Sequence, residues 1–118
     1  MAYSKYNAKK TEVDGIVFDS KKEAARYKEL CLLVKAKEIA ELVRQPEFIL
    51  QEGFIYDDIK EESITYKADF MYTEKDGTKV VEDVKGYKTP VYRLKRKLFL
   101  KKYCFDEDGN QTIKFIET

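Results

Sequence analysis

Two alternating runs, ITYKADFMY from Ile64 and KVVEDVK from Lys79, stand on either side of an Asp76-Gly77 pair. An Asp-Gly dipeptide between alternating runs is a tight-turn signal, because the favoured hairpin turns need positive φ at their central positions. The two runs are therefore expected to be neighbouring antiparallel strands, and that one pairing restricts the chain to folds built round a sheet. It also allows Asp69 and Asp83 to approach one another at the same end of the sheet. Side chains alternate along a strand, so Asp83 and Lys85 share one side while Glu82 goes with Val80 and Val84 to the other.

The rest of the chain supplies helices. TEVDGIVF alternates around Asp14-Gly15 and predicts a small N-terminal hairpin. Ser20 is an N-cap residue with Glu23 three positions on, and the helix it opens runs through KKEAARYKELCLLVKAKEI to about Ile39. Tyr27, Leu30 and Val34 recur at helical spacing as the inward stripe, and Glu23 falls on that stripe too. Pro46 ends any helical continuation, FILQEGFI reads as a strand from about Phe48 to Ile55, and YDDIKEES reads as an acidic loop. Thr89-Pro90 is an N-cap followed by proline at the first helical position, opening VYRLKRKLFLKKYC with Val91, Leu94 and Leu98 on one face. QTIKFIE closes the chain as a strand in which Ile113 and Phe115 alternate with polar residues. The order is hairpin, helix, three strands, helix, strand. That is an α/β chain with a mixed central sheet flanked by helices, a single domain over residues 1–118 with a loose basic arm at 1–10 carrying Lys5, Lys9 and Lys10.

At 118 residues there is chain enough for one core. The absence of histidine excludes Ser-His-Asp hydrolases, His-ligated zinc enzymes and nucleases with a histidine base, so carboxylates, lysine or a metal would carry any chemistry. Cys31 and Cys104 lie in apolar stretches without CxxC spacing, and read as reduced cysteines of an intracellular protein. No signal pattern and no apolar run near the ~20 residues of a membrane span is present, so a soluble, cytoplasmic protein is expected. The net charge is only +1, but Val84 to Phe105 holds eight cations and no acid. Within that window Lys88, Arg93, Arg96 and Lys97 are candidates for tracking a phosphate backbone.

Two carboxylates at close range repel, and a hard divalent ion relieves the repulsion. Asp69, Asp83 and Glu23 supply oxygen ligands of the type magnesium takes, and the backbone carbonyl of Val84 lies between Asp83 and Lys85. Lys85 beside such an ion would position or deprotonate a water, or offset charge developing on phosphorus. Each residue also has an ordinary reading: Glu23 completes an S-x-x-E capping box, Asp69 is a strand-end acid, and Asp83 with Lys85 is an exposed ion pair.

These residues resemble the PD-(D/E)XK nuclease superfamily, which includes restriction enzymes and Holliday junction resolvases. The matching segments are Glu23 in FDSKKEA, Asp69 in KADF, and Asp83-Val84-Lys85 in EDVKG; small phage and prophage proteins share the segments FDSKKEA, ADF and DVKG. The resemblance spans about Phe18 to Ile116 and departs at Ala68, where the motif's name has proline. It implies a restriction-endonuclease-like core of helix, three strands, helix and strand, and a catalytic set of Glu23, Asp69, Asp83 and Lys85. It further implies magnesium as cofactor, with manganese as a substitute, and DNA as partner. Gln45, in RQPEF, enters as a possible site neighbour because some nucleases carry a polar residue there. The expected function is a magnesium-dependent DNA endonuclease acting on branched or structured DNA in phage replication or recombination, as a homodimer where both strands are cut. The alternative is a non-catalytic DNA-binding or replication-accessory protein on the same fold.

Overall fold

The computed structural model describes residues 10–118, so Lys5 and Lys9 of the expected basic arm lie outside the described residues. The first hairpin is β1 (Thr11–Val13) and β2 (Ile16–Phe18), paired antiparallel. Asp14 and Gly15 both take positive φ at its turn, 53° and 78°, the conformation that Asp-Gly signals. Helix α1 (Lys21–Lys35) starts where Ser20 Oγ accepts the N–H of Glu23. It stops four residues before the expected Ile39, because Lys37 adopts a left-handed φ of 60° and turns the chain into an unexpected strand, β3 (Ile39–Arg44).

Eight further elements follow: β4 (Glu47–Gln51), β5 (Phe54–Tyr56), β6 (Ile59–Glu61), β7 (Ile64–Lys67), β8 (Phe70–Glu74), β9 (Lys79–Asp83), α2 (Pro90–Tyr103) and β10 (Ile113–Glu117). The central sheet has the order β10-β9-β8-β3, with β10 parallel to β9 and the other neighbours antiparallel. Through this sheet the chain is a mixed α/β protein, but its first sheet strand is β3 and not the expected run from Phe48.

The expected strand from Phe48 to Ile55 and its acidic loop turn out to be a ribbon. Strands β4 and β7 pair antiparallel and prolong the β3–β8 pair past a joint, where Gln45 N–H bonds to Asp69 O (2.8 Å) and Ala68 N–H to Pro46 O (3.1 Å). Beyond them β5 and β6 form a hairpin whose turn is Asp57-Asp58, both at positive φ (50° and 63°). The ribbon strand is interrupted between β4 and β5 at Glu52-Gly53, where a Cβ on Gly53 would stand 3.0 Å from the carbonyl oxygen of Glu61.

The two helices take opposite faces of the sheet, as adjacent residues of β9 show. Val80 packs with Phe18, Leu30 and Phe70 in the cluster that includes Ala24 of α1, while Val81 packs with Tyr66, Tyr92 and Phe99 on the α2 side. One expectation about helix faces is corrected, and a second face is given its direction. Val34 of α1 is exposed and Leu33 packs in its place; Val91, Leu94 and Leu98 of α2 all face outward. Helix α2 carries two apolar stripes, and the aromatic one goes inside because rings bury more surface and stack. The ring of Phe99 lies 4.7 Å from Phe48 and 5.2 Å from Tyr66, centroid to centroid. Lys102 Nζ and Tyr103 OH then fasten the helix end to Ile49 O, at 2.9 and 2.8 Å. Cys104 is buried, Cys31 half-buried, and both are free thiols. No helix among the described residues is long and apolar enough to cross a membrane.

Candidate carboxylate site at the end of β9

The register of β8 on β9 pairs Phe70 with Glu82, so the next residues outward are Asp69 and Asp83. Asp69 is not at a strand end as expected; it sits in the joint between β7 and β8. Tyr66 and Ala68 face α2 while Phe70 faces α1, so the alternation slips by one across this joint. Asp69 N–H bonds to Glu82 O (3.2 Å), and its carboxylate, freed from the pleat, accepts the N–H of Val84 at 2.6 Å.

Asp83 points to the α2 face and is 1% exposed. Tyr66 OH donates to its Oδ2. Lys85 Nζ stands 3.1 Å from Oδ1, an ion pair without hydrogen-bond geometry, so this buried oxygen is left without a hydrogen bond. The Lys85 ammonium also lies 4.4 Å above the Tyr92 ring, held by a cation–π contact. Strand β10 secures the segment, with Thr118 N–H bonding to Asp83 O and Lys85 N–H to Thr118 O, each 3.0 Å. Burial first, then the close contact with Asp83 and its negative charge, push the Asp69 pKa up to about 8, against a lowering from the Val84 N–H. The same burial and the Asp83 contact raise Tyr66, keeping it a donor.

Glu23 reaches this end of the sheet from α1. Ser20 caps its backbone, and its side chain is buried; burial and then Asp19 raise its pKa, Asp83 adds to the rise, and Arg44 and Lys85 oppose it. Glu23 is thus within electrostatic reach of Asp83 and Lys85. Among the described residues, however, no three Asp, Glu, Cys or His side chains come together as a metal-holding group. The site is a close pair, Asp69 and Asp83, with Glu23 as an outlying acid. Val84, whose carbonyl was the expected ligand, contributes its N–H to Asp69 and turns its side chain toward the α1 cluster.

Glu82 has a different surrounding. It is fully buried and accepts hydrogen bonds from Arg26 Nε and Nη2 (2.6 and 3.0 Å), Tyr72 OH (2.8 Å) and Thr118 Oγ1 (3.1 Å). That hydrogen bond to Glu82 is also the main reason the Arg26 pKa rises.

The expected basic contacts divide in two. Lys88 Nζ and Arg96 Nε lie 3.3 and 3.8 Å from Glu117, whose carboxylate also accepts from Tyr92 OH. Burial works to raise the Glu117 pKa, but these donors and cations hold it below its usual value. Arg93 and Lys97 are exposed, with Arg93 Nε reaching Lys88 O at 3.5 Å. Gln45 has an exposed side chain, and its backbone, at φ 51°, meets Asp69 across the joint. Tyr66, Tyr92 and Glu117 were not picked out from sequence. Tyr66 alternates with Ala68, but which carboxylate it meets depends on the slip at the joint, which no local signal marks.

Comparison with known proteins adds one finding. The model of the family described as "Protein of unknown function (DUF1064)" matches residues 3–115, and the chain belongs to that family. No curated protein and no solved structure matches it.

Proposed function

We propose that this member of the DUF1064 family is a metal-dependent endonuclease that hydrolyses phosphodiester bonds in DNA, with branched or structured DNA of phage replication or recombination as its substrate. The observation that carries the reading is the buried Asp83 Oδ1 without a hydrogen bond, beside a second, half-buried carboxylate and a lysine. Carboxylates crowded this way in a folded core are costly unless a cation or proton intervenes. The donor set suits magnesium, with manganese as a substitute: one carboxylate at the end of β9, one in the joint before β8, and oxygen atoms throughout. The resemblance to PD-(D/E)XK nucleases supports the same assignment, as does the order α1, β3, β8, β9, α2, β10 around one mixed sheet.

When bound, the metal supplies charge neutralisation at the scissile phosphate and a more acidic water. The chain's own residues do the positioning. Val84 N–H aims the Asp69 carboxylate and Tyr66 OH aims that of Asp83. Lys85, held between Asp83 and the Tyr92 ring, presents an ammonium that offsets charge growing on a phosphorane-like transition state. Glu23 adds negative charge from the α1 side, and Lys88, Arg93, Arg96 and Lys97 track the DNA backbone with an affinity that falls as salt rises.

Cleavage is to be measured on duplex, single-stranded, flap and four-way-junction DNA with magnesium or manganese, for wild type beside Lys85→Ala and Asp83→Ala. Metal-dependent product from wild type, lost in both variants, is the expected result. Product formed undiminished by both variants, or DNA bound with no cleavage under any metal, overturns the endonuclease.

A further inference from the structure

Every residue from Gln51 to Ile64 is exposed, and β5 and β6 pack against each other rather than against the body. The hairpin register places Phe54 opposite Glu61 and Tyr56 opposite Ile59, so Phe54, Tyr56 and Ile59 share one face. They are 49%, 66% and 62% exposed, an apolar surface at the end of a ribbon. Around it stand five acids, Glu52, Asp57, Asp58, Glu61 and Glu62, against one base, Lys60.

The outer face of α2 is its counterpart. Val91, Leu94 and Leu98 are 61%, 60% and 43% exposed, at the three- and four-residue spacing of a helix stripe. The helix carries six cations and no acid. At 100° per residue, Lys97 and Lys101 flank the stripe on one side, Lys95 and Lys102 on the other.

We infer that these two surfaces join two copies of this chain: the acidic, apolar tip of each copy's ribbon packs on the basic, apolar face of the other copy's α2, twice over about a two-fold axis. Each alternative self-pairing is opposed by charge, helix on helix setting lysine against lysine and ribbon on ribbon setting acid against acid. Only ribbon on helix matches both charge and apolar character, and repeating it by symmetry closes the assembly as a dimer. The two contacts together would remove on the order of 1,400 Å² from water, within the range of specific complexes. The inference goes beyond the endonuclease reading and does not rest on it, since cleavage plays no part in its test.

Sedimentation equilibrium on the whole chain decides it. Wild type should give a dimer of twice 13.9 kDa that weakens as salt rises. Lys95→Glu with Lys101→Glu, and separately Glu61→Lys with Glu62→Lys, should each weaken self-association by about 100-fold. An equimolar mixture of the two variants should recover the dimer, because each ribbon then meets a helix of opposite sign; this arm also rules out misfolding as the cause of the loss. A wild-type mass of 13.9 kDa at about 100 µM overturns the inference and leaves both patches to a different partner. So does undiminished association of either variant, or a mixture that stays monomeric.

Discussion

Glu82 and Asp83 are neighbours on β9, both buried, and they are treated in opposite ways. Glu82 points toward α1 and has its lone pairs occupied by a bidentate arginine, a tyrosine and a threonine. Asp83 points toward α2, has one oxygen held by Tyr66, and keeps the other beside Lys85 and near Asp69 without a hydrogen bond. A buried acid whose partners all come from its own chain is part of the framework. One that is left short of partners, next to another acid, is the kind of group the proposed metal site would use.

That contrast can be broken most sharply by activity. Lys85→Ala and Asp83→Asn should each lower DNA cleavage by about 10³-fold or more, roughly 4 kcal/mol of transition-state stabilisation, read from single-turnover rates. If Glu82→Gln lowers the rate as far while leaving the fold intact, the division of roles between the two acids is wrong.

Stability should sort the same residues the other way. Glu82→Gln removes a charged acceptor from Arg26 and should cost about 2–3 kcal/mol in denaturant unfolding, with the metal chelated. Asp83→Asn should cost less than that under those conditions, because losing the Lys85 ion pair is offset by easier ionisation of Asp69. Equal losses would erase the comparison. Tyr66→Phe takes the only hydrogen bond from a buried carboxylate oxygen and should cost about 1–2 kcal/mol, in thermal or denaturant unfolding.

The last effect is in pH, and it is graded rather than abrupt. The folded pKa of Asp69, about 8, lies above its ordinary 3.8, so between those values the folded state binds the proton more tightly than the unfolded one. The contribution of Asp69 to stability is therefore present at low pH and is lost as pH rises toward 8, with a slope of at most about 1.4 kcal/mol per pH unit. Burial raises Glu23 as well, which acts in the same direction. Urea titrations in chelator at several pH values should show this fall, and Asp69→Asn should flatten it. A slope unchanged in the variant places the raised group elsewhere.

Local chemistry made much of this fold legible in the sequence. Asp14-Gly15, Asp76-Gly77, Ser20 and Thr89-Pro90 each act within a few residues, and each marks its element where the structure has it. What was not legible depends on competition between distant parts. Lys37 and Asp57-Asp58 turn the chain at positive φ without the glycine that advertises such turns, so β3 and the β5–β6 hairpin were hidden. Helical spacing put Val91, Leu94 and Leu98 on one face of α2 but did not say which way it points; the aromatic ring cluster under the helix decides the matter, and its members come from β4, β7 and β10. For the site, the pairing of Asp69 with Asp83 follows from one turn and strand parity. The Tyr66 contact and the Glu117 hub around Lys88 and Arg96 follow from packing and could be read only in three dimensions.

The parallel pairing of β10 with β9 joins Lys79 through Asp83 to residues more than thirty positions later, and the whole of α2 must be in place between them. Contacts so far apart in sequence form late, after the local hairpins and helices. During synthesis the β8–β9 hairpin can close as soon as its turn emerges, yet Asp83 and Lys85 stay unclamped until Thr118 arrives to hold both their backbones. The geometry of the carboxylate pair is thus withheld from a chain that has been synthesised only as far as α2, and depends on backbone bonds that the segment after β10 brings back to β9.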